Sequence, residues 1–290
     1  MLSQYVSLLR IPHYIKNLYL FLPVFFGGQL LNTADLISTS IAFISFCLAS
    51  SAVYILNDIK DVEFDRLHPV KKLRPVAAGT VSITACYTIL ALLLITSFAI
   101  AYTISLVVLG IVAGYFVLNV FYCLGLKNIA IVDITIISIG FLLRVLAGGA
   151  ASHIIVSKWL IIMVFLLSMF QALSKRMDDL ILMANNRYQV TRKSISGYSI
   201  EFLQIAVSML SGVLLVCYLM YIVQPEITQR MGEFAYGTTF FVLLGLLRYL
   251  QLTFVRNAAS SPVKILTNDK FIQACVVCWI IAFGVLLYVN

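Results

Sequence analysis

An all-α integral membrane protein of about nine transmembrane helices in one bundle is the fold class this sequence predicts, and three observations predict it. Of its 290 residues 62% are hydrophobic, only 11% are charged, and apolar runs recur along nearly the whole length. A soluble domain carries roughly a quarter charged residues, so lipid is the main solvent for this chain.

Crossing the hydrocarbon core takes about 20 apolar residues, and that length divides the sequence into spans at 16–32, 36–56, 82–101, 104–124, 129–150, 159–174, 200–223, 234–255 and 271–289. Pro23 interrupts the first apolar stretch and equally apolar stretches follow it, so no cleaved targeting peptide is expected. The chain reads as a single domain, 1–290. Cys47, Cys86, Cys123, Cys217, Cys275 and Cys278 lie in or beside apolar stretches, where thiols behave as small hydrophobes and no disulfide is expected. The Cys275–Cys278 pair and His153 are read as packing residues, because no second pair or ligand context accompanies them. Gly110 with Gly114, and Gly148 with Gly149, are read as close helix contacts.

Lys and Arg fix the orientation, since cytoplasmic loops carry an excess of both. One side gathers Arg10, Lys16, Lys60, Arg66, Lys71, Lys72, Arg74, Lys127, Lys175, Arg176, Arg187, Arg192, Lys193, Arg256, Lys264 and Lys270, whereas the other holds only Lys158 and Arg230. An odd number of spans then puts the N-terminus in the cytoplasm and Asn290 outside. The net charge of +8 is concentrated on one face, where it attracts anionic lipid or phosphorylated substrates. Nucleic acid is a poor partner, because the basic residues are split among short loops that also carry acids. Two cytoplasmic segments, 57–80 and 175–199, are long and heavily charged, as loops that carry function tend to be.

The sharper of two chemical constellations is Asn57-Asp58-Ile59-Lys60-Asp61-Val62-Glu63-Phe64-Asp65, directly after the second span. If the helix continues, Asp58, Asp61 and Asp65 fall at i, i+3 and i+7 on one face. Carboxylates crowded there repel one another unless a cation sits between them. Hard oxygen donors select Mg²⁺, which takes one or two carboxylates plus substrate phosphates. The competing reading is a solvated acidic helix end neutralised by Lys60 and Arg66. Against it, the acids emerge from a membrane span and are followed by Arg66, His68, Lys71, Lys72 and Arg74. The second constellation, Gln171 to Asp179, follows the sixth span; ion pairing of Lys175 with Asp179 at i, i+4 explains part of it. It exits on the same membrane side as the first, so the two are expected to face one cytoplasmic active-site cavity.

These residues resemble the UbiA superfamily of intramembrane prenyltransferases over essentially the whole chain. Within it the closer likeness is to the polyprenyl-phosphate (decaprenyl-phosphate) phosphoribosyltransferases. The matching motifs are Arg10-Ile11-Pro12-His13 with Lys16-Asn17, Asp65-Arg66-Leu67-His68-Pro69 through Arg74-Pro75-Val76-Ala77-Ala78-Gly79, Arg144 through Gly149, Lys175-Arg176, and Ser261-Pro262 through Asp269. Tyr14 stands where a tryptophan is expected and Asp179 where relatives carry glutamate; neither change removes a needed charge. Lys175-Arg176 ahead of Asp178-Asp179, in place of a second aspartate-rich motif, favours a phosphate-bearing substrate.

The resemblance implies transfer of 5-phosphoribosyl from 5-phosphoribosyl 1-diphosphate to a polyprenyl monophosphate, making a lipid-linked pentose donor for cell-envelope glycan synthesis at the cytoplasmic (inner) membrane. Asp58, Asp61 and Asp65, with Asn57, are then the catalytic metal-binding set for Mg²⁺. Lys16, Asn17, Arg66, Lys71, Lys72, Arg74, Arg144, Lys175, Arg176 and Asp179 are the substrate-binding candidates. Two rivals are a prenyl-diphosphate:aromatic prenyltransferase of the quinone type, sharing the fold and metal logic, and a transporter using the intramembrane charges Asp133, Arg144 and Arg248. Arg248 lies near a span end where it can snorkel, and no internal repeat of the kind many transporters carry is evident.

Overall fold

A computed structural model describes residues 2–67, 70–184, 193–255, 265 and 268–288, and all regular structure among them is helical. The chain divides into two compact units, Met1–Val156 and Ser157–Asn290.

The first unit is organised by α3 (Thr33–Lys60), whose N-terminus is capped by Asn32 accepting from the Ala34 and Asp35 amides. Its 28 residues make a rod of about 42 Å, longer than the roughly 30 Å hydrocarbon core, so its last turns reach beyond lipid. Small residues, Ala42, Ser45, Ala49, Ser50 and Ala52, let neighbours approach closely. Ser45 and Ser97 each donate to the other's carbonyl, at 2.9 and 2.8 Å, and tie α3 to α5 (Ile83–Ile104). Ser105 ends α5 and caps α6 (Leu106–Leu124) through the Val108 amide, giving a one-residue reversal. A 3-10 turn, Leu126–Asn128, leads into α7 (Val132–Ala151). Phe46, Val53, Val108, Val112, Tyr115 and Ala147 form the shared core.

The expected first span, 16–32, takes an unusual form. After α1 (Leu2–Leu9), residues Ile11–Phe21 form a 3-10 helix that passes into the short α2 (Leu22–Phe26), with Pro12 and Pro23 at the two starts. Contacts to α3 fall in reverse order: Leu9 and Tyr14 at Ser51, Asn17 at Cys47 and Ser50, Phe21 at Phe43. The segment therefore runs antiparallel to α3. At about 2.0 Å per 3-10 residue and 1.5 Å per α residue it covers roughly 30 Å, enough to cross the core although no long α-helix is present. Among the described residues eight helices are long and apolar enough to cross on their own, and they match the other eight expected spans closely. Gly148 explains how the segment fits: a Cβ there would lie 1.9 Å from the Leu20 carbonyl oxygen. Gly110 and Gly114 differ from expectation, since a Cβ at either meets no described atom within 4 Å.

In the second unit α8 (Lys158–Ala184) packs on α9 (Ile200–Ile222), which Ser199 caps through the Phe202 amide. The short α10 (Pro225–Met231) and a 3-10 turn, Glu233–Thr238, lead to α11 (Thr239–Phe254) and α12 (Lys270–Tyr288). Tyr218 joins three elements, paired with the Thr238 hydroxyl and accepting from Trp279 Nε1, both at 2.7 Å. None of the six cysteines forms a disulfide.

Candidate functional site

The acidic motif lies where α3 leaves its span, and the expected continuous helix breaks inside it. Helix α3 ends at Lys60, Asp61 is its cap at φ −97° and ψ 6°, and α4 (Val62–Leu67) follows, the Asp65 amide still donating to the Asp61 carbonyl at 2.8 Å. The three carboxylates do not all share one partner. Asp58 and Asp65 converge on Arg74, whose NH1 lies 3.2 Å from Asp58 Oδ1 and 2.5 Å from Asp65 Oδ2, whereas Asp61 turns to Lys127. Asp58 also accepts from Arg10 NH2. Both carboxylates on Arg74 are almost fully buried, at 2% and 4% exposure.

Arg10 sits between α1 and the 3-10 crossing with φ 53°, a left-handed backbone that a non-glycine residue adopts at a cost. Its guanidinium lies 5.0 Å from the centre of the Tyr54 ring, and burial lowers its pKa against the opposing pull of Asp58. Strain, burial and a buried carboxylate partner together mark a positioned group. Neither Arg10 nor Lys127 stood among the candidate site residues. Lys127 does carry one sequence signal: it is the only charged residue between Arg74 and Asp133.

The remaining candidates divide. Asn57 accepts from the Cys123 thiol at 3.6 Å. Arg66 turns outward to Glu63 at 3.1 Å, both exposed. Lys72 is exposed and Lys71 half-buried on a 3-10 turn, Lys71–Leu73, before Arg74. Lys16 is exposed on the crossing segment. Asn17 and Arg144 meet in the core: Arg144 donates to Asn17 Oδ1 at 2.7 Å, to the Gly140 carbonyl at 2.7 Å and to Tyr115 Oη at 3.0 Å. Its guanidinium also lies 4.7 Å from the centre of the Tyr115 ring. A buried arginine so fully hydrogen-bonded ties the crossing segment to α6 and α7.

In the second unit Lys175, Arg176 and Asp179 lie within α8, not after it, because that helix runs ten residues past the expected end of its span. An ion pair forms at i, i+3 between Arg176 and Asp179, 3.3 Å apart. Arg176 is buried at 3% exposure while Lys175 faces outward. Arg248, of the transporter reading, bonds Asp269 at 2.8 Å, and Asp269 also accepts from the Ile272 amide at the start of α12. Ser261 and Pro262 lie outside the described residues, as do His68, Pro69, Arg187, Arg192, Arg256 and Lys264.

Three His, Cys, Asp or Glu side chains do not converge as a ready metal cage among the described residues. The donor set nevertheless suits Mg²⁺, which needs only one or two carboxylates when phosphates complete its shell. The Arg74 NH1 position between Asp58 and Asp65 shows that these acids flank a single point of positive charge.

The model of the UbiA prenyltransferase family matches residues 20–272. The decaprenyl-phosphate phosphoribosyltransferase of Mycolicibacterium smegmatis is 31% identical, with 100% of this chain and 94% of that protein covered. The enzyme of the same name from Mycobacterium tuberculosis is 30% identical over 96% of this chain and 92% of its own length. Among solved structures, a UbiA homologue from Archaeoglobus fulgidus bound to GPP and Mg²⁺ superposes with a TM-score of 0.74 at 16% identity, covering 99% of this chain and 100% of that one.

Proposed function

Because the chain belongs to the UbiA prenyltransferase family, we propose that its membrane-embedded fold serves transfer of 5-phosphoribosyl from 5-phosphoribosyl 1-diphosphate to a polyprenyl monophosphate, with release of diphosphate. The observation that carries this reading is end-to-end likeness, at about 30% identity, to decaprenyl-phosphate phosphoribosyltransferases. Acids and cations interleaved at the end of α3 support it, because a diphosphate leaving group needs both a metal site and direct phosphate donors.

Asp58, Asp61 and Asp65, with Asn57 beside them, would hold Mg²⁺ against the leaving diphosphate; the metal supplies charge neutralisation as the anomeric C–O bond breaks. Arg74 is placed to pass from carboxylate to phosphate, its planar fork being suited to bidentate contact. The acceptor is already an anion, so a phosphate oxygen attacks the anomeric carbon without a general base. Apolar helix walls leave the polyprenyl tail in lipid. The membrane is the cytoplasmic one in this reading, with the N-terminus and the acidic motif on its inner side.

Purified protein given labelled phosphoribosyl diphosphate, polyprenyl phosphate and Mg²⁺ should yield a labelled lipid that EDTA abolishes. Transfer from a prenyl diphosphate to an aromatic acid, with none from phosphoribosyl diphosphate, would leave the family standing and sink the substrate assignment.

A further inference from the structure

The connection from α3 to α5 has its polarity inside out. Asp65 faces inward and is buried, whereas the large apolar side chains face outward: Phe64 is 56% exposed, Leu67 81%, Val70 69% and Leu73 75%. In water the stable arrangement is the reverse, since exposed apolar side chains forfeit their burial and a buried carboxylate is costly. Single exposed leucines are ordinary, but four large apolar residues within ten positions of one connection form a patch. Such a pattern fits an outward solvent other than water.

Both flanks of the connection are anchored, so its middle is held outward. Arg74 joins Asp58 to Asp65, and Val76 and Val81 are buried with Leu8, Ile55 and Ile59. Phe64 and Leu67, at i and i+3, share one side of α4. The depth is right as well. Helix α3 makes a rod of about 42 Å, against roughly 40–45 Å for the hydrocarbon with both headgroup layers, so α4 begins at headgroup level.

Basic residues fringe the patch. Lys60 and Lys72 are exposed and Lys71 is half-buried, while Glu63, the exposed acid of α4, is answered by Arg66 at 3.1 Å. With that pair neutral the edge is net positive, which is the charge an anionic lipid surface attracts.

We propose that Phe64, Leu67, Val70 and Leu73 seat this connection in the headgroup zone of an anionic leaflet, with Lys60, Lys71 and Lys72 toward the lipid phosphates. A second copy of the chain fits less well, because a self-complementary contact through this patch brings like-charged lysines together. The connection carries Asp65 and Arg74, so the lipid surface holds one wall of the acidic motif from outside.

Spin labels on the full-length protein in lipid nanodiscs test this without relying on any activity. Cys278→Ala removes the exposed native thiol, and Leu67→Cys, Leu73→Cys and Ala78→Cys then carry the label, the last being an exposed position on the same connection outside the patch. In discs containing phosphatidylglycerol the two patch labels should collide readily with oxygen and poorly with a water-soluble nickel chelate, as expected roughly 5–10 Å into the headgroup–acyl boundary. The label at Ala78 should meet the chelate freely. In pure phosphatidylcholine, or at about 1 M salt, the patch labels should become several-fold more open to the chelate, since each lysine near an anionic surface is worth about a fivefold preference. Thermal unfolding confirms that each variant is folded, and Val70→Cys replaces a patch variant that is not. Equal chelate access at all three labels in the anionic discs overturns the proposal. Shielding of the patch labels from both reagents, with spin–spin broadening, overturns it in favour of a second copy. Protection that is the same in neutral and anionic discs overturns the assignment of anionic lipid as the partner.

Discussion

Asp58 and Asp61 are equivalent in the sequence motif and unequal in the fold, so neutralising them should have different consequences. Asp58 is buried between two arginines, and removing one partner of a buried ion pair strands the other; Asp58→Asn should lose on the order of 3 kcal/mol of stability as well as turnover. Asp61, which pairs with Lys127 and is 20% exposed, should lose turnover at a smaller cost to stability. Unfolding in detergent alongside the transfer assay checks this, and equal stability losses in the two variants would contradict the buried-network account. The acids were legible because carboxylates at short spacing after an apolar run advertise themselves locally. Lys127 lies 66 residues from Asp61, and nothing local in the sequence records a pairing over that distance. Arg10 was visible only as one basic residue among many, because the left-handed backbone that aims it has no residue-type signature.

At the scale of elements, long α-helical spans were read to within a few residues wherever hydrophobicity alone sets the limits. It failed to foresee form where tertiary contact decides. The first crossing is a 3-10 helix held by Tyr14, Asn17 and Arg144, and α8 outruns its apolar stretch because Arg176 and Asp179 satisfy each other within the helix. The glycines show the same limit, since identical residues in apolar helices meet different neighbours. Gly148→Ala must push the crossing segment off α7 and should cost about 1–3 kcal/mol, as overpacking does. Gly110→Ala and Gly114→Ala, with no described atom in the way, should be neutral or gain up to about 1 kcal/mol from helix propensity. Comparing the three melting temperatures decides the matter: destabilisation at Gly110 as large as at Gly148 would restore the close-contact reading of the GxxxG pair.

For the whole molecule the open quantity is orientation, and each unit carries its own marker of it. In the first unit the 3-10 segment is long enough to add a ninth crossing to the eight long helices among the described residues, and it starts at Arg10, beside the Asp58 end of α3. That crossing would put the N-terminus and the acidic motif on one side, as the Arg10–Asp58 pair requires. Positive charge predicts that this side is the cytoplasmic one, because the sequence segments expected on the opposite face carry only Lys158 and Arg230. Cysteine substitution at exposed positions turns this into a measurement, aided by the burial of every native cysteine except Cys278, which can first be replaced by alanine. An impermeant maleimide should label Lys72→Cys, between α4 and α5, and Ser196→Cys, between α8 and α9, only in inside-out vesicles; Tyr236→Cys, between α10 and α11, should react only in right-side-out ones. Labelling of Lys72→Cys from outside would place the acidic motif away from cytoplasmic phosphoribosyl diphosphate and remove the proposed donor. Labelling of Lys72→Cys and Ser196→Cys from opposite sides would instead mean that one crossing between α5 and α8 has been miscounted.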